Sequence, residues 1–520
     1  MRRTTASAIS TLVATLLSGC TLAGSDDEEG IVVGISDKIL SVDPASGYDP
    51  ASWIIFNNIF QSLLTFPVGA VEPQPELAES CSFTDKETRV YQCRIKEGAE
   101  FSNGEKLDAS DVKFSFDRTL AINDPGGPAV MFESLRSVQT PDDRTVVFHL
   151  KSPDATFPSK IASGAGSIVS KTDYSPFELK RDEGAVGSGP YTLTSLDEDG
   201  ATFSTNENYK GDAEVKSGKI ELTSFHGDSA SLKKALTDGR VDVAYRGLNA
   251  RDLTELMARE ESEELDVIEG NGVEVKHLVF NITDPVTGSM GVRKAIAHLL
   301  DREELTAAIH KDTTVPLYSL VPTGIEGHDT AFFDKYGARP SANAAKEALE
   351  AAGVTKKVKL TLWSTPTRYG PSTDDELILI SEQLNRSGLF ETNVKSVEYE
   401  QYQRDISAGK YGIYVKGWIP DYPDPENFTK PFFGPENILR NNYENDEVTG
   451  HILPAVAASP DRSATQTDFA HLHRIVANEV PLLPLWQSKQ HLVVQKNIRG
   501  SQHSLDASTI FRLWALYRAT

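Results

Sequence analysis

The segment Lys416-Gly417-Trp418-Ile419-Pro420-Asp421-Tyr422-Pro423-Asp424-Pro425 sets two carboxylates beside two aromatic rings in a run with three prolines. Proline fixes φ and removes a backbone donor, so the run predicts a rigid, shaped loop rather than a helix or a central strand. Aromatic walls around an acid suit an amine-bearing ligand, because the carboxylate makes a charge-assisted hydrogen bond to it. A proline-punctuated surface turn with ordinary aromatics is the competing reading of the same residues.

Motifs for covalent, metal or cofactor chemistry are missing. There is no Gly-x-Ser-x-Gly elbow, no complete phosphate loop, no His-Glu-x-x-His and no dinucleotide fingerprint. Gly187-Ser188-Gly189-Pro190-Tyr191 starts like a phosphate loop but lacks the lysine, and Pro190 removes a donor. A hinge or tight turn is expected there. His471 and His473, two residues apart, would point to different faces of a helix, which argues against a shared metal. The expectation is a protein that is not an enzyme and uses no cofactor.

Arg2 and Arg3 precede a short apolar or small-residue stretch, Ala6 to Leu17. A membrane span needs about 20 apolar residues, so residues 1–19 read as a signal peptide. Leu17-Ser18-Gly19-Cys20 resembles the bacterial lipobox, which implies lipidation of Cys20 and anchoring at the extracytoplasmic face of the cell membrane. Residues 20–30, with Asp26-Asp27-Glu28-Glu29 between glycines, read as an acidic tether. Cys81 and Cys93 flank two short strands with a polar turn centred near Glu87, where they would face each other. In an exported chain a disulfide follows.

The 520 residues suffice for two or three domains. Lys and Arg total 52 against 75 Asp and Glu, a net charge of −23. That balance argues against nucleic acid and against adhesion to anionic lipid, and it is compatible with cationic or zwitterionic ligands. Solubility alone also explains it.

The elements that must position Asp421 alternate between strand and helix. Ile31 to Ile35 and Val358 to Leu362 read as strands, as does Val241 to Ala244. Ser229–Leu236, Val292–Leu300, Ser341–Ala352 and a helix capped by Ser372 read as helices ending near Gly239, Asp301, Gly353 and Gly388. Asp301 and Glu304 have capping-box spacing. This alternation predicts α/β lobes, and residues 88–150 are richer in strand.

Several segments, in order, resemble the family 5 solute-binding proteins of ABC importers, the oligopeptide- and dipeptide-binding lipoproteins. They are Pro75-Glu76-Leu77-Ala78, Tyr91 to Gly104, Leu107 to Phe116, Gly187 to Tyr191, Asn208 to Gly211 and Gly239 to Asp242. Phe280-Asn281, Val292 to Ile296, Asp301-Arg302 and Gly417 to Pro425 complete the set.

The resemblance implies a type II periplasmic-binding-protein-like clamp of two α/β lobes with an additional strand-rich α+β domain. Lobe I would combine 31–73, 190–276 and 483–520, the extra domain would be 74–189, and lobe II 277–482. The clamp would be a monomer that closes on a peptide and delivers it to ABC permease subunits, touching the membrane through its lipid anchor only. By position, Asp421 would pair with the peptide's α-ammonium. Trp418 would line a side-chain pocket, and the Gly417 and Ile419 backbone would lie near the peptide main chain. Tyr422, Lys38, Ile39, Trp363, Tyr369 and Trp486 are softer candidates for the cleft wall, and Asp424 would cap or stiffen the turn. The chain departs from the family pattern at Pro420, where a small residue is common, and at Lys416, an added cation. The alternative keeps the fold and binds an oligosaccharide or metal chelate.

Overall fold

The computed structural model describes residues 30–519 except 182–183, 260–264, 367, 371 and 436. The expected signal peptide, Cys20 and all of the tether but Gly30 lie outside the described residues.

In chain order the main strands are β1 (Ile31–Ile35), β2 (Ala78–Phe83), β3 (Val90–Ile95), β4 (Leu135–Asp142) and β5 (Thr145–Leu150). Then come β6 (Tyr191–Leu196), β7 (Gly200–Thr205), β8 (Lys219–Ser224), β9 (Val243–Tyr245) and β10 (Leu265–Phe280). They are followed by β11 (Thr314–Pro316), β12 (Val358–Ser364), β13 (Phe390–Ser396), β14 (Ile413–Trp418) and β15 (Leu482–Gln495). β2 to β5 form a separate antiparallel sheet in the order β2-β3-β5-β4. The rest form one sheet, β13-β12-β14-β10-β15-β9-β1-β8-β7-β6, with β11 beside β15.

Two long antiparallel strands, β10 and β15, run through both halves of that sheet. Their ladder extends from Leu265↔Gln495 to Val279↔Leu482 and breaks between Asn271 and Val275 and again between Lys276 and His277. On one side of the first break β15 pairs with β9, and on the other β10 pairs with β14. Bulges interrupt ladder bonds and bend a strand, so the break is the compliant point between two lobes. The lobes bury separate cores. One gathers Ile31, Val33, Phe203, Leu222 and Phe511; the other gathers Leu278, Phe280, Leu362, Tyr402 and Tyr414. Within each lobe the central strands run parallel, β1 with β8 and β9, and β12 with β13 and β14.

The four-stranded sheet carries its own core, in which Phe148 lies 5.0 Å from Phe116 and 5.1 Å from Phe157 between ring centroids. In β3 buried and less buried residues alternate, the signature of a strand with one face on a core. Cys81 and Cys93 sit directly opposite on β2 and β3 and form the disulfide. α2 (Ala109–Ile122), which follows α1 (Pro50–Ile59), packs over this sheet. Its capping box joins Asp108 and Asp111. The glycines of Gly187-Ser188-Gly189 return the chain to lobe I against the end of α1. Gly189 N–H donates to Ile59 C=O at 2.9 Å, and a Cβ on Gly187 would come 2.0 Å from that same oxygen.

Three local expectations change. Lys416, Gly417 and Trp418 are not loop; they end β14, inside the sheet between β12 and β10. Proline constrains only from Pro420 onward, so strand pairing governs the earlier residues. Ser372 makes no capping hydrogen bond before the helix α3 (Thr373–Arg386); Thr373 Oγ1 instead donates to Tyr369 C=O at 2.8 Å. Asp301 does cap, accepting from Glu304 N–H at 2.8 Å, but the Glu304 carboxylate turns to Arg386 and Gln383, leaving half a capping box.

Candidate functional site at the end of β14

β14 delivers the site. The Val415 N–H donates to the Tyr402 hydroxyl at 3.0 Å, and that hydroxyl donates to the Val415 C=O at 2.8 Å. Tyr402 thereby closes the β14 edge where its pairing with β12 ends, at Trp363↔Tyr414. Gly417 is two residues further, so its N–H and C=O face the same edge, beyond the last β12 partner. The ring of Tyr369 lies against Gly417: a Cβ there would sit 3.0 Å from Tyr369 Cδ1. The Tyr369 carbonyl is fixed from below by Lys276 Nζ at 2.8 Å. Lys276 also reaches Thr373 and Glu376, and His310 meets the same Glu376 oxygen at 2.9 Å. Burial alone would raise the Glu376 carboxyl, but Lys276 and His310 hold it below the usual range.

After Trp418 the chain turns, and Asn427 fixes the turn. Its Oδ1 accepts from Asp421 N–H at 3.0 Å and from Trp418 Nε1–H at 3.2 Å, while its Nδ2 donates to Asp421 Oδ2 at 3.2 Å. Asp424 caps the short helix Pro425–Phe428 by accepting from Glu426 N–H at 2.8 Å, and Arg462 holds it at 2.7 Å. The two acids therefore divide their roles. Asp421 is half-buried with Tyr48 nearby, and Tyr48 packs against the core of the four-stranded sheet. Burial pushes the Asp421 carboxyl up to about 6, opposed by Tyr48, by the hydrogen bond from Asn427 and by the charge of Lys160. An ionised carboxylate has about four acceptor positions, so Tyr48 and Asn427 leave room for a ligand donor.

The environment near β14 also carries positive charge. Lys416 is buried, donates to Gln403 Oε1 at 3.0 Å, and is pushed down to about 8 by burial and by the charges of Arg440 and Arg368. Arg368 is exposed, with its guanidinium 5.8 Å from the Tyr399 ring centre, beside Tyr369.

Of the sequence candidates, the structure gathers Gly417, Trp418, Asp421 and Tyr369. Trp418 is half-buried, edge-on to Phe432 at 5.6 Å. Ile419 is half-buried at the start of the turn. Tyr422 points away, its ring in the core of the extra domain and its hydroxyl 3.4 Å from Thr156 Oγ1. Trp363 stacks on Tyr411 at 4.1 Å with Lys395 over it. Trp486 is buried beneath Lys276 Nζ, beside His310. Lys38 is exposed past the end of β1, and Ile39 packs on the lobe I core. The sequence reading missed Asn427 and Tyr48. Asn427 had a weak local signal, an amide six residues after Asp421; Tyr48 had none.

One family model matches most of this chain. The profile described as "Bacterial extracellular solute-binding proteins, family 5 Middle" covers residues 72–439. The chain belongs to this family of solute-binding proteins. As a family 5 solute-binding protein it serves ABC import and is not an enzyme. It is 24% identical over 490 residues to the probable D,D-dipeptide-binding periplasmic protein DdpA of Escherichia coli, covering 90% of each chain. Among solved structures it is similar to HbpA2 of Haemophilus parasuis, with a TM-score of 0.81, 20% identity and coverage of 94% and 100%. It is similar also to the periplasmic binding protein DppA of Helicobacter pylori in complex with peptide STSA. There the TM-score is 0.77 with 23% identity, covering 94% of this chain and 98% of that one. This solute-binding protein is therefore a type II clamp with an extra strand-rich domain. Among its described residues no helix is long and apolar enough to cross a membrane.

Proposed function

We propose that this solute-binding protein captures short peptides between its lobes and delivers them to the permease of an ABC importer. The observation that carries the reading is the Asp421 carboxylate, held by Asn427 just after the stretch of β14 at Gly417 that has no β12 partner among the described residues. An ammonium would meet Asp421 in a charge-assisted hydrogen bond, and an extended main chain would add to the Gly417 edge as a strand does. Arg368 and Lys416 suit the opposite end of a zwitterion. Peptide-binding relatives, DdpA by its name and the Helicobacter protein with STSA, support the same ligand class. Tyr422, buried in another core, gives no stacking face beside Asp421, and these named relatives bind peptides, so the oligosaccharide reading is less favoured.

In this proposal residues 1–19 are removed, Cys20 is lipidated and residues 20–30 tether a monomer at the extracytoplasmic face. Lobe I comprises 31–73, 190–276 and 483–520, the extra domain 74–189, and lobe II 277–482. The test is calorimetric titration of trialanine and N-acetyl-trialanine. Trialanine binding that is lost on acetylation is expected; equal affinities would overturn the amine anchor.

A further inference from the structure

Both ends of the extra domain join lobe I, and buried contacts hold the two together. Arg118 of α2 makes a two-pronged ion pair with Asp43 of lobe I at 2.7 and 2.6 Å, both side chains almost fully buried. The Lys180 N–H donates to the same carboxylate at 2.7 Å. Trp53 of α1 packs against both cores. A hinge rotation at the β10–β15 break must therefore carry lobe I and the extra domain as one body.

That body also touches lobe II, at contacts that begin one residue past Asp421. The Ala155 N–H of the extra domain donates to the Ala457 C=O of lobe II at 2.8 Å, and Thr88 Oγ1 donates to the same oxygen at 3.3 Å. Tyr422 of lobe II is 6% exposed because its ring enters the extra domain's core. Lys160 of the extra domain, ion-paired with Asp154 at 2.7 Å, lies among the charges and ring of lobe II. Burial alone would lower it, but Asp154, Tyr422 and Glu426 raise it above the usual lysine range. Glu426 is buried, and neither carboxylate oxygen accepts a hydrogen bond among the described residues. Its cations are Lys160 across the boundary and, on lobe II, Lys430 at 3.5 Å and Arg462 at 3.7 Å.

We propose that the extra domain is a closing surface of the clamp, latched to lobe II by Tyr422 and the Ala457 carbonyl of lobe II against Ala155, Thr156 and Lys160. When the hinge opens, the Tyr422 ring leaves an apolar core, the Ala155–Ala457 bond breaks and Glu426 loses Lys160. Each step favours the closed clamp. Tyr422 directly follows Asp421, and Pro420, Pro423 and Pro425 stiffen the segment between, so latch and ligand acid move as one rigid piece. The latch does not depend on what ligand the cleft takes.

The test uses the ligand-free full chain and reads the distance between spin labels on the extra domain and on lobe II. In Ala155→Cys/Ala457→Cys, whose backbones are close enough for a disulfide, oxidation should collapse the distance distribution to its short component and reduction should restore the long one. Tyr422→Ala should raise the open-to-closed ratio at least tenfold, and Tyr422→Phe, which keeps the ring, by less. An oxidised double-cysteine protein that still samples the long distance overturns the latch. So does a Tyr422→Ala protein, folded by circular dichroism, whose open-to-closed ratio equals wild type. These readouts contain no peptide, so they stand or fall apart from the proposed ligand.

Discussion

Asn427 Nδ2 lies 3.2 Å from Asp421 Oδ2, while its Oδ1 accepts from the Asp421 N–H at 3.0 Å. One amide thus fixes both the backbone and the carboxylate of the proposed ligand acid. Asp421→Asn should weaken binding of trialanine by about thirtyfold, roughly 2 kcal/mol, because the ammonium loses its charged partner. Asn427→Ala should cost about tenfold through loss of positioning. Calorimetry on both variants checks the order; an Asp421→Asn protein of wild-type affinity would refute the assignment.

Peptide affinity should fall in mild acid. The Asp421 carboxyl is pushed up to about 6 by burial, so the ionised form that attracts an ammonium is lost as pH falls through that value. Since the free protein binds the proton and the complex does not, affinity at pH 5 should be roughly tenfold below that at pH 7. The raised carboxyl acts oppositely on the empty protein: it favours folding toward low pH, between the unfolded carboxyl value and about 6. Affinity measured against pH, beside Asp421→Asn as the flat control, separates the two.

Gly417 lets Tyr369 close over it, since a Cβ would meet that ring at 3.0 Å and force it to shift. Gly417→Ala should push Tyr369 off the free edge of β14 and weaken peptide binding by about tenfold. Thermal stability should change little, because the displaced group is a single ring that must give by only a few tenths of an ångström. A Gly417→Ala variant with unchanged affinity would place the ligand main chain elsewhere.

Acid should destabilise the fold through two core histidines. His277 and His473 are fully buried, none of their ring nitrogens has a hydrogen-bond partner among the described residues, and burial lowers each to about 3. Their unfolded value is about 6.5, so stability is intact above it and is lost as pH falls from there toward 3. At pH 5 each costs about 2 kcal/mol. His277→Leu should remove about that much from the difference in unfolding free energy between pH 7.5 and pH 5.

The disulfide should matter to the extra domain more than to the clamp. Cys81–Cys93 closes a short loop, so opening it should cost about 3 kcal/mol in the chain-entropy account. Cys81→Ser/Cys93→Ser should lower the melting temperature of that domain's signal while the lobes' transition moves less.

Local physics made much of this readable. The disulfide followed from two strands around a polar turn, and the helix ends at Gly353 and Gly388 followed from glycines that have positive φ. Ordered short motifs were enough to place the family. The Lys416–Trp418 segment was misread because proline density dominated a window whose first half is a central strand. The aromatic candidates scattered for a related reason. A tryptophan in an α/β lobe has the same sequence signature whether it faces a cleft or, like Trp363, stacks on Tyr411.

The sequence by itself determined that an acid would stand in a proline-rich aromatic segment and that the chain belongs to the family 5 solute-binding proteins. The tertiary structure alone decided what surrounds that acid. Strand pairing sets the Gly417 backbone past the last described β12 partner, Tyr48 arrives from the first fifty residues of the chain, and Tyr422 finds Thr156 across a separation of 266 residues. Such contacts are fixed by how cores pack around the β10–β15 crossing, and neither periodicity nor capping within one segment carries information about a partner on another domain.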